Sequence, residues 1–295
     1  MPAEIDDPPF WREFRRRVRS VNPEAYLVGE FWEPAPDWVE NGDRFDGLMN
    51  YPFARTALGF TAAASLVPEL QVGSFPVQPT DPATALAQLE EQTQLYHRRV
   101  VQSQLNLVGS HDTPRFRSLA SGDPSALRLA VLLQMTIPGA PCVYYGDEVG
   151  MDGGADPGCR GGFPWQEALW DKTTLEVTRR AIALRHGCRL LRFGDFESLG
   201  ATDDAFAFLR RGSPRSVGGE GDASEPDAIL VALNASEKPA AMELPLPFSV
   251  SASTKIAELW ATQALPAHLV CGAVGVAKVT VEIPARDGRV VSFTG

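Results

Sequence analysis

Short apolar runs alternate with helix-like segments over about the first 185 residues, and this alternation limits the folds open to the chain more than any other feature. The runs that read as buried strands are residues 26–31, 46–50, 105–108 and 141–145. The helix-like segments are residues 10–21, 82–103, 124–135 and 169–185. Asp81 and Asp123 stand in capping positions before two of these helices. Strands spaced by helices predict βα units and a parallel sheet.

The number of strands leaves two architectures open. A closed (β/α)8 barrel needs eight parallel strands and typically about 250 residues, whereas the apolar runs predict only four strands. Half a barrel would leave strand edges unpaired and a core open to water. The sheet is therefore either an open, doubly wound one, or part of a barrel whose other half lies upstream of Met1.

The pattern changes after about residue 187. Short apolar runs separated by turn residues predict strands at residues 206–209, 229–233, 256–260, 279–283 and 290–293. No helix is expected there, so the region predicts an all-β module, a sandwich. Within it, Gly212 to Asp227 is rich in Gly, Ser, Pro and acidic residues and predicts a long, flexible hairpin loop. The predicted domains are residues 1–186, of α/β type, and residues 187–295, of β type.

Charge and cysteine content narrow the expected partners and location. The chain has a net charge of −10, and its short basic run, Arg15-Arg16-Arg17, is typical of a solvated helix face, so nucleic acid is not an expected partner. No apolar stretch approaches the length of a membrane span, and residues 1–7 do not resemble a signal peptide. The cysteines are widely spread without a CxxC pair, which indicates reduced thiols in a cytoplasmic protein. An acidic chain with several Trp residues suits a neutral, hydroxyl-rich ligand.

Polar residues stand at the ends of three of the predicted strands. Glu30 comes after Leu27-Val28-Gly29 in the first strand, His111 and Asp112 come shortly after the third, and Asp147 and Glu148 come shortly after the fourth. In parallel βα folds the carboxyl ends of the strands and their loops form the active site, so these side chains can converge on one pocket. Two carboxyl groups with separated pKa values are what glycoside hydrolysis requires. Taken singly, each has a simpler interpretation, since a strand-closing Glu is more often a loop cap or a salt-bridge partner.

Three blocks of sequence carry a resemblance to a known family. They are residues 26–53, with Tyr-Leu-Val-Gly-Glu-Phe-Trp and Arg-Phe-Asp-Gly-Leu-Met-Asn-Tyr-Pro-Phe, residues 106–115, Asn-Leu-Val-Gly-Ser-His-Asp-Thr-Pro-Arg, and residues 138–148, Pro-Gly-Ala-Pro-Cys-Val-Tyr-Tyr-Gly-Asp-Glu. In order and spacing they resemble strands five to eight of the α-amylase superfamily of glycoside hydrolases. The branch most resembled is that of neopullulanases, cyclomaltodextrinases and maltogenic amylases. The resemblance implies an α/β fold, the second half of a (β/α)8 TIM barrel, followed by an all-β C-terminal sandwich.

The resemblance also implies roles for single residues. Glu30 matches the general acid/base of the family. His111 and Asp112 match the pair that grips the hydroxyls of the sugar being cleaved, and Asp112 also helps to stabilise the transition state. Trp32 matches an aromatic side chain that stacks on the acceptor sugar, although the short spacing of Trp32 and Trp38 is by itself more typical of a core.

A loop after the last strand is expected to bind sugar as well. Asp156 and Arg160 lie in a segment that resembles a loop contacting sugars on the donor side. The usual continuation there is Arg-Pro, whereas this chain has Gly-Gly-Phe-Pro-Trp at residues 161–165. Asp147 and Glu148 resemble architectural residues of the family and are expected to support the fold.

The start of the chain departs from the family pattern. Met-Pro-Ala-Glu-Ile at residues 1–5 resembles the tail of the fourth-strand block, in which the nucleophilic Asp comes just before. Asp6 and Asp7 come too late to replace it, and they lie where a helix begins, where acids favour the helix dipole. The expected protein is therefore a fragment of a retaining hydrolase of α-glucosidic bonds, lacking the nucleophile and inactive by itself.

The expected partner is an α-glucan oligosaccharide such as a maltodextrin. No metal ligand and no organic cofactor are assigned, and a calcium site in the complete protein stays open because its usual ligands can lie upstream. A transglycosylase or sugar isomerase of the same superfamily stays open as an alternative, and so does a non-catalytic carbohydrate-binding protein. Linkage preference and oligomeric state are left unspecified by these residues.

Overall fold

A computed structural model describes residues 5–67, 71–72, 75–212, 226–251, 253–261, 268–271 and 277–295 of the chain. The elements of the first part are α1 (Pro8–Val21), β1 (Val28–Gly29), β2 (Gly47–Asn50), α2 (Tyr51–Thr61), β3 (Gln71–Val72), β4 (Phe75–Pro76), α3 (Pro82–Gln94), α4 (Arg98–Ser103), β5 (Leu105–Leu107), α5 (Phe116–Leu119), α6 (Pro124–Thr136), β6 (Ala140–Cys142), α7 (Lys172–Gly187) and α8 (Arg189–Phe193). The predicted loop from Gly212 to Asp227 lies outside the described residues except at its two ends.

The four predicted strands of this part form one sheet. Its order is β1-β2-β5-β6, and every neighbouring pair is parallel. Helices connect β2 to β5 and β5 to β6, which confirms the βα organisation. All four carboxyl ends consequently lie at one edge of the sheet. β3 and β4 pair with each other in a separate, antiparallel hairpin.

Aspartates begin two of the helices as predicted. Asp81 Oδ1 accepts a hydrogen bond from the backbone N–H of Thr84 at 2.9 Å, at the start of α3. Asp123 Oδ1 accepts one from the backbone N–H of Ser125, also at 2.9 Å, at the start of α6. Each carboxylate thereby satisfies an N–H group that has no partner inside its helix.

The prediction of one helix over residues 82–103 is wrong. Two helices, α3 and α4, occupy this range, with a break at residues 95–97. At the break, the Tyr96 hydroxyl accepts a hydrogen bond from Ala35 N at 3.1 Å, and His97 N donates to Glu40 Oε1 at 3.0 Å. The His97 N–H therefore bonds to the distant segment 35–40 rather than to a carbonyl of the same helix, and the Tyr96 side chain is bonded to that segment as well.

The second part is mainly β-structure. Its strands are β7 (Asp195–Ala201), β8 (Ala205–Arg211), β9 (Ala228–Asn234), β10 (Ala240–Pro245), β11 (Lys255–Trp260), β12 (His268–Cys271), β13 (Ala277–Ile283) and β14 (Asp287–Thr294). They form a five-stranded sheet of order β11-β14-β9-β8-β7 and a three-stranded sheet of order β10-β13-β12, both antiparallel. All five predicted strands are present. The expectation that no helix follows residue 187 is corrected by α8, a short helix that buries Leu190 and Leu191.

The five-stranded sheet is covered on both faces. One face packs on the three-stranded sheet through side chains such as Leu230 and Val281. The other face joins the core formed by the helices, where the rings of Phe60 and Phe206 lie 4.6 Å apart. Strands that are buried on both faces have continuous apolar sequences, which explains the apolar run at residues 229–233. Side chains from both sides of residue 186 thus share one hydrophobic core, and the boundary at this residue stays a prediction.

One arginine joins the two parts across this junction. Arg286 lies in the turn between β13 and β14, and its guanidinium contacts the carboxylate of Asp123 at the start of α6. It also donates to the backbone carbonyls of Thr61 at 3.0 Å and Ala235 at 2.7 Å. The turn of the β-region is thereby hydrogen-bonded to the N-terminal end of a helix that packs next to the parallel sheet.

Other sequence predictions concern the surface and the thiols. Arg16 and Arg17 pair with Glu13 on the exposed face of α1 as expected of a solvated face, whereas Arg15 turns inward to Asp46 at 2.7 Å. Three cysteines with described side chains, at positions 142, 159 and 188, are not in disulfide bonds. Within the described ranges, no helix is both long enough and apolar enough to cross a membrane.

Candidate active site

Two strand ends bring the predicted carboxylates together. Glu30 follows β1 directly, and the loop that carries His111 and Asp112 follows β5. Since β1 and β5 flank β2 and run parallel to it, their carboxyl ends meet at the same edge. One donor atom from each of the three side chains lies within 4.8 Å of the others. The structure therefore places Glu30, His111 and Asp112 in one cluster, as the strand-end argument requires.

A tyrosine that the sequence analysis did not single out lies at the centre of this cluster. The hydroxyl of Tyr51 is 3.4 Å from Glu30 Oε1 and 3.2 Å from Ser110 Oγ, and the Tyr51 side chain is fully buried. Its ring stacks on Trp32 with centroids 3.8 Å apart. Burial raises the pKa of Tyr51, so its hydroxyl keeps its proton and can donate to Glu30. Tyr51 follows the second strand directly, so its position at a strand end was the signal available in the sequence.

The surroundings of Glu30 favour its protonated form. Burial raises the pKa of Glu30, and a hydrogen bond that protonated Glu30 donates to Asp112, together with the negative charge of Asp112, raises it further. Two neighbouring carboxyl groups cannot both ionise freely, so one of them retains a proton to higher pH. A carboxyl group that retains its proton can act as a general acid.

The donor-side loop reaches the same cluster through Arg160. Arg160 Nη2 donates to Asp112 Oδ1 and Arg160 Nε to the backbone carbonyl of His111, both at 2.9 Å. Asp156 Oδ1 lies 3.1 Å from Arg160 Nε, and His111 Nε2 lies 3.1 Å from Asp112 Oδ2. Of the two loop residues predicted to bind sugar, Arg160 contacts the cluster directly, and Asp156 is joined to it through Arg160.

A buried ion pair joins this loop to the segment that follows β6. The Arg115 guanidinium donates to Asp147 Oδ1 at 3.0 Å and to the carbonyl of Cys159 at 2.9 Å, and it lies 4.1 Å and 4.6 Å from the ring centroids of Tyr144 and Tyr145. Burial raises the pKa of Asp147 to about 7, against the opposing effect of Arg115. These contacts indicate that Arg115 and Asp147 support the loop rather than bind a ligand. The sequence analysis did not single out Arg115.

A glycine makes room for this ion pair. A Cβ atom added at Gly109 would lie 2.8 Å from Asp147 Oδ2, closer than side chains normally approach. The absence of a side chain at position 109 therefore lets the Asp147 carboxylate pack under the loop that carries His111. Glu148, the other residue expected to be architectural, accepts a hydrogen bond from Gly146 N at 2.7 Å.

The same cluster is also the candidate site for a metal ion. Among the residues that the structure describes, Glu30, His111 and Asp112 are the one group of three side chains close enough to hold a metal ion. Calcium prefers six to eight oxygen ligands, whereas this group contains an imidazole and a carboxylate already bound by Arg160. These residues do not fit a calcium ion. A calcium site elsewhere in a complete protein stays a prediction.

The fold and the cluster together define a βα protein with a carboxylate site at the carboxyl ends of parallel strands. The model of one protein family, described as the catalytic domain of alpha amylase, matches residues 3–184. The chain belongs to the alpha-amylase family.

Named relatives agree with this assignment. A cyclomaltodextrinase of Bacillus sp is 40% identical over 227 residues, 76% of this chain and 36% of that protein. Neopullulanase 2 of Thermoactinomyces vulgaris is 39% identical over 214 residues, 72% of this chain and 34% of that protein. The structure of a debranching enzyme from Nostoc punctiforme aligns with a TM-score of 0.82 and 34% identity, covering 99% of this chain and 57% of that one.

These matches confirm the resemblance to the neopullulanase and cyclomaltodextrinase branch. They also confirm that the fold is that of alpha-amylase family barrel enzymes with an additional β-sheet portion. The chain spans about a third of the length of the curated relatives that it matches.

Proposed function

We propose that the chain supplies the acid/base and sugar-binding part of the active site of a retaining α-glucan hydrolase. In this proposal Glu30 protonates the leaving glycosidic oxygen and then deprotonates the attacking water. His111 and Asp112 bind the hydroxyls of the sugar being cleaved, and Trp32 stacks on the acceptor sugar. Arg160, positioned with Asp156, extends the contacts on the donor side. Substrates are maltodextrins or related α-glucans.

The observation that carries the proposal is the pairing of Glu30 with Asp112. Burial and this pairing raise the pKa of Glu30, which stands at a strand end beside the stacked rings of Trp32 and Tyr51. A protonated carboxyl group next to aromatic side chains is suited to deliver a proton to a bound sugar.

The nucleophile is proposed to come from a different segment. In retaining enzymes the two reacting carboxyl groups are about 5–5.5 Å apart, with the sugar between them. Glu30 and Asp112 are instead in hydrogen-bonding contact, and Asp112 is also bound by Arg160. This contact favours Asp112 as a sugar-binding residue. The Asp that ends the family's fourth-strand block is the proposed nucleophile.

The proposed architecture follows from placing the acid/base and the nucleophile in different segments. The parallel sheet of residues 1–186 is proposed to form strands five to eight of a (β/α)8 barrel, and residues 187–295 to form the C-terminal sandwich. Strands one to four would then pair with the free edges of β1 and β6. The cytoplasmic location expected from the cysteine pattern stays a prediction.

A chimera tests the proposal directly. In it, this chain follows the N-terminal segment of the Bacillus sp cyclomaltodextrinase, up to and including the Asp that ends the fourth-strand block. We expect the chimera to hydrolyse maltodextrin with retention of configuration, measured by proton NMR of the first product, and the chain by itself to show no hydrolysis. Replacing that Asp by Asn in the chimera is the matched control and should abolish turnover.

Several outcomes would contradict the proposal. A folded chimera without activity on any α-glucan would favour the non-catalytic, carbohydrate-binding alternative. Transfer products that exceed hydrolysis products would favour the transglycosylase, and conversion of a disaccharide to its isomer would favour the sugar isomerase. Hydrolysis by the chain alone would show that the nucleophile lies within it.

The pH dependence of the chimera reports on the contact between Glu30 and Asp112. A general acid must be protonated, so kcat/KM falls as the pH rises through the pKa of Glu30. Asp112→Asn removes the negative charge that raises this pKa and offers an amide N–H to the ionised form. The alkaline limb of the kcat/KM profile is therefore expected to move to lower pH. A limb that stays in place or moves to higher pH would contradict the assigned contact.

A further inference from the structure

Three aromatic side chains lie together on the segment that follows Arg160. The ring centroids of Phe163 and Trp165 are 4.9 Å apart, and those of Phe163 and Trp170 are 5.8 Å apart, each pair meeting edge to face. Trp165 is 84% exposed, more than any other aromatic side chain in the described part of the chain, and Leu169 nearby in sequence is 66% exposed. Phe163 and Trp170 are partly buried, so Trp165 and Leu169 are the large exposed apolar side chains of this segment, and exposed apolar side chains that lie together are typical of a binding surface.

Hydrogen bonds fix the segment on both sides of Trp165. On one side, the Tyr145 hydroxyl donates to Gly161 O at 2.8 Å, directly after Arg160, which is bound to Asp112. On the other side, Trp170 Nε1 donates to Pro164 O at 2.5 Å. The backbone that presents the Trp165 ring is therefore ordered before any ligand arrives, which lowers the entropy cost of binding.

Of the three rings, Trp165 offers the most open face. The ammonium group of Lys172 lies 4.6 Å from the Trp170 ring centroid and is paired with Glu167 at 2.7 Å, so one face of Trp170 is occupied. Phe163 is partly buried between the two indoles. Trp165 lies five positions after Arg160, so their Cα atoms are no more than about 18 Å apart.

We propose that Trp165 is a stacking platform for an outer glucosyl residue of an α-glucan chain whose reacting end lies at Glu30 and Asp112. The C–H face of a sugar ring can pack flat on an indole while its hydroxyls stay in water. The platform extends the site beyond Arg160 and favours longer glucans over short ones. The identity of this ligand rests on the proposed function.

Charge favours this occupant over a membrane surface. Membrane surfaces are commonly anionic and attract basic segments, whereas the chain has a net charge of −10. Lys172, which lies over the Trp170 ring, is already paired with Glu167. A neutral, hydroxyl-rich chain pays no electrostatic penalty on this surface. A second copy of the chain or a lipid surface is an alternative occupant that the experiment distinguishes.

The test is affinity electrophoresis of the chain in native gels that contain soluble amylopectin. Trp165→Ala is expected to raise the dissociation constant about threefold to tenfold, the range of one aromatic stacking contact. Trp165→Phe keeps a flat ring and should retain most of the affinity. Leu169→Ala removes exposed apolar surface without removing a ring, so it should migrate like the unaltered chain. In fluorescence titrations, Trp165→Ala should weaken binding of maltoheptaose more than binding of maltose.

Four results would overturn the inference. The first is that amylopectin does not retard the unaltered chain, and the second is that it retards Trp165→Ala equally. The third is an equal loss of affinity for maltose and maltoheptaose in Trp165→Ala. The fourth is self-association or vesicle binding that depends on Trp165 while glucan binding does not. Failure of the proposed function gives a different result. If the chimera is inactive but retardation of the chain still depends on Trp165, the stacking role of Trp165 is supported and the proposed hydrolase function is contradicted.

Discussion

Glu30→Gln, introduced into the chimera, is expected to lower the rate of maltodextrin hydrolysis by about 10²–10⁴-fold, the usual contribution of a general acid. Gln keeps the shape of the side chain and its contact with the Tyr51 hydroxyl, which lies 3.4 Å from Glu30 Oε1. It cannot release a proton to the leaving oxygen. Initial rates of reducing-sugar formation measure the loss.

An activated substrate separates proton donation from other roles of Glu30. An α-glucosyl fluoride has a good leaving group that needs little protonation, so the first step of its hydrolysis should be partly spared in Glu30→Gln. Asp112→Asn is the matched control and should slow both substrates, because contacts with the ring hydroxyls do not depend on the leaving group. Equal losses for Glu30→Gln on the two substrates, in pre-steady-state measurements of the first step, would remove Glu30 from the acid role.

The location of the cluster could be predicted from the sequence because it depends on strand ends. Glu30 and Asp112 each follow a short apolar run closely, and parallel strands bring their carboxyl ends to one edge whatever the remaining packing. Asp81 and Asp123 could be predicted as caps for a similar reason, since a helix needs local partners for its first N–H groups. Both inferences use only local sequence and a general rule of architecture.

Interactions between distant segments could not be predicted in this way. The break between α3 and α4 depends on Tyr96 and His97 meeting residues 35–40, which no local pattern of residues 82–103 indicates. Strand β7 is only partly buried along its length and lies at the edge of its sheet, so it has no continuous apolar run to identify it. Strand β10 does alternate buried and exposed residues, but the alternation extends over only six residues.

The residues that support the site could not be predicted either, because their contacts also join distant segments. Arg115 follows the His-Asp pair in a sequence block typical of a loop, and nothing local indicates that its guanidinium is fully buried. Its partners, Asp147 and the carbonyl of Cys159, come 32 and 44 residues later. Only the folded chain shows that one buried charge links the loop of His111 to the loop of Arg160.

Arg115→Met is expected to lower the free energy of unfolding by about 3–5 kcal/mol, the usual effect of removing one partner of a buried ion pair. The variant leaves Asp147 without its cation and the carbonyl of Cys159 without its donor. It also removes the contacts with the rings of Tyr144 and Tyr145. Urea unfolding of the chimera followed by circular dichroism measures the change. Arg12→Met is the control, because Arg12 makes a half-exposed pair with Asp43 at 2.6 Å and should contribute less than about 1 kcal/mol.

The pH dependence of this loss follows from the pKa of Asp147. Its value of about 7 in the folded chain lies above the ordinary value of 3.8, so between these two pH values the folded state holds a proton that the unfolded state has released. Asp147 therefore contributes less to stability as the pH rises through this window. Because Arg115 opposes the rise in pKa, Arg115→Met should extend the window to higher pH, whereas Asp147→Asn should remove this dependence. Losses of equal size for Arg115→Met and Arg12→Met, or a window that does not move, would contradict the buried pair. A loss confined to Arg115→Met would support the buried pair.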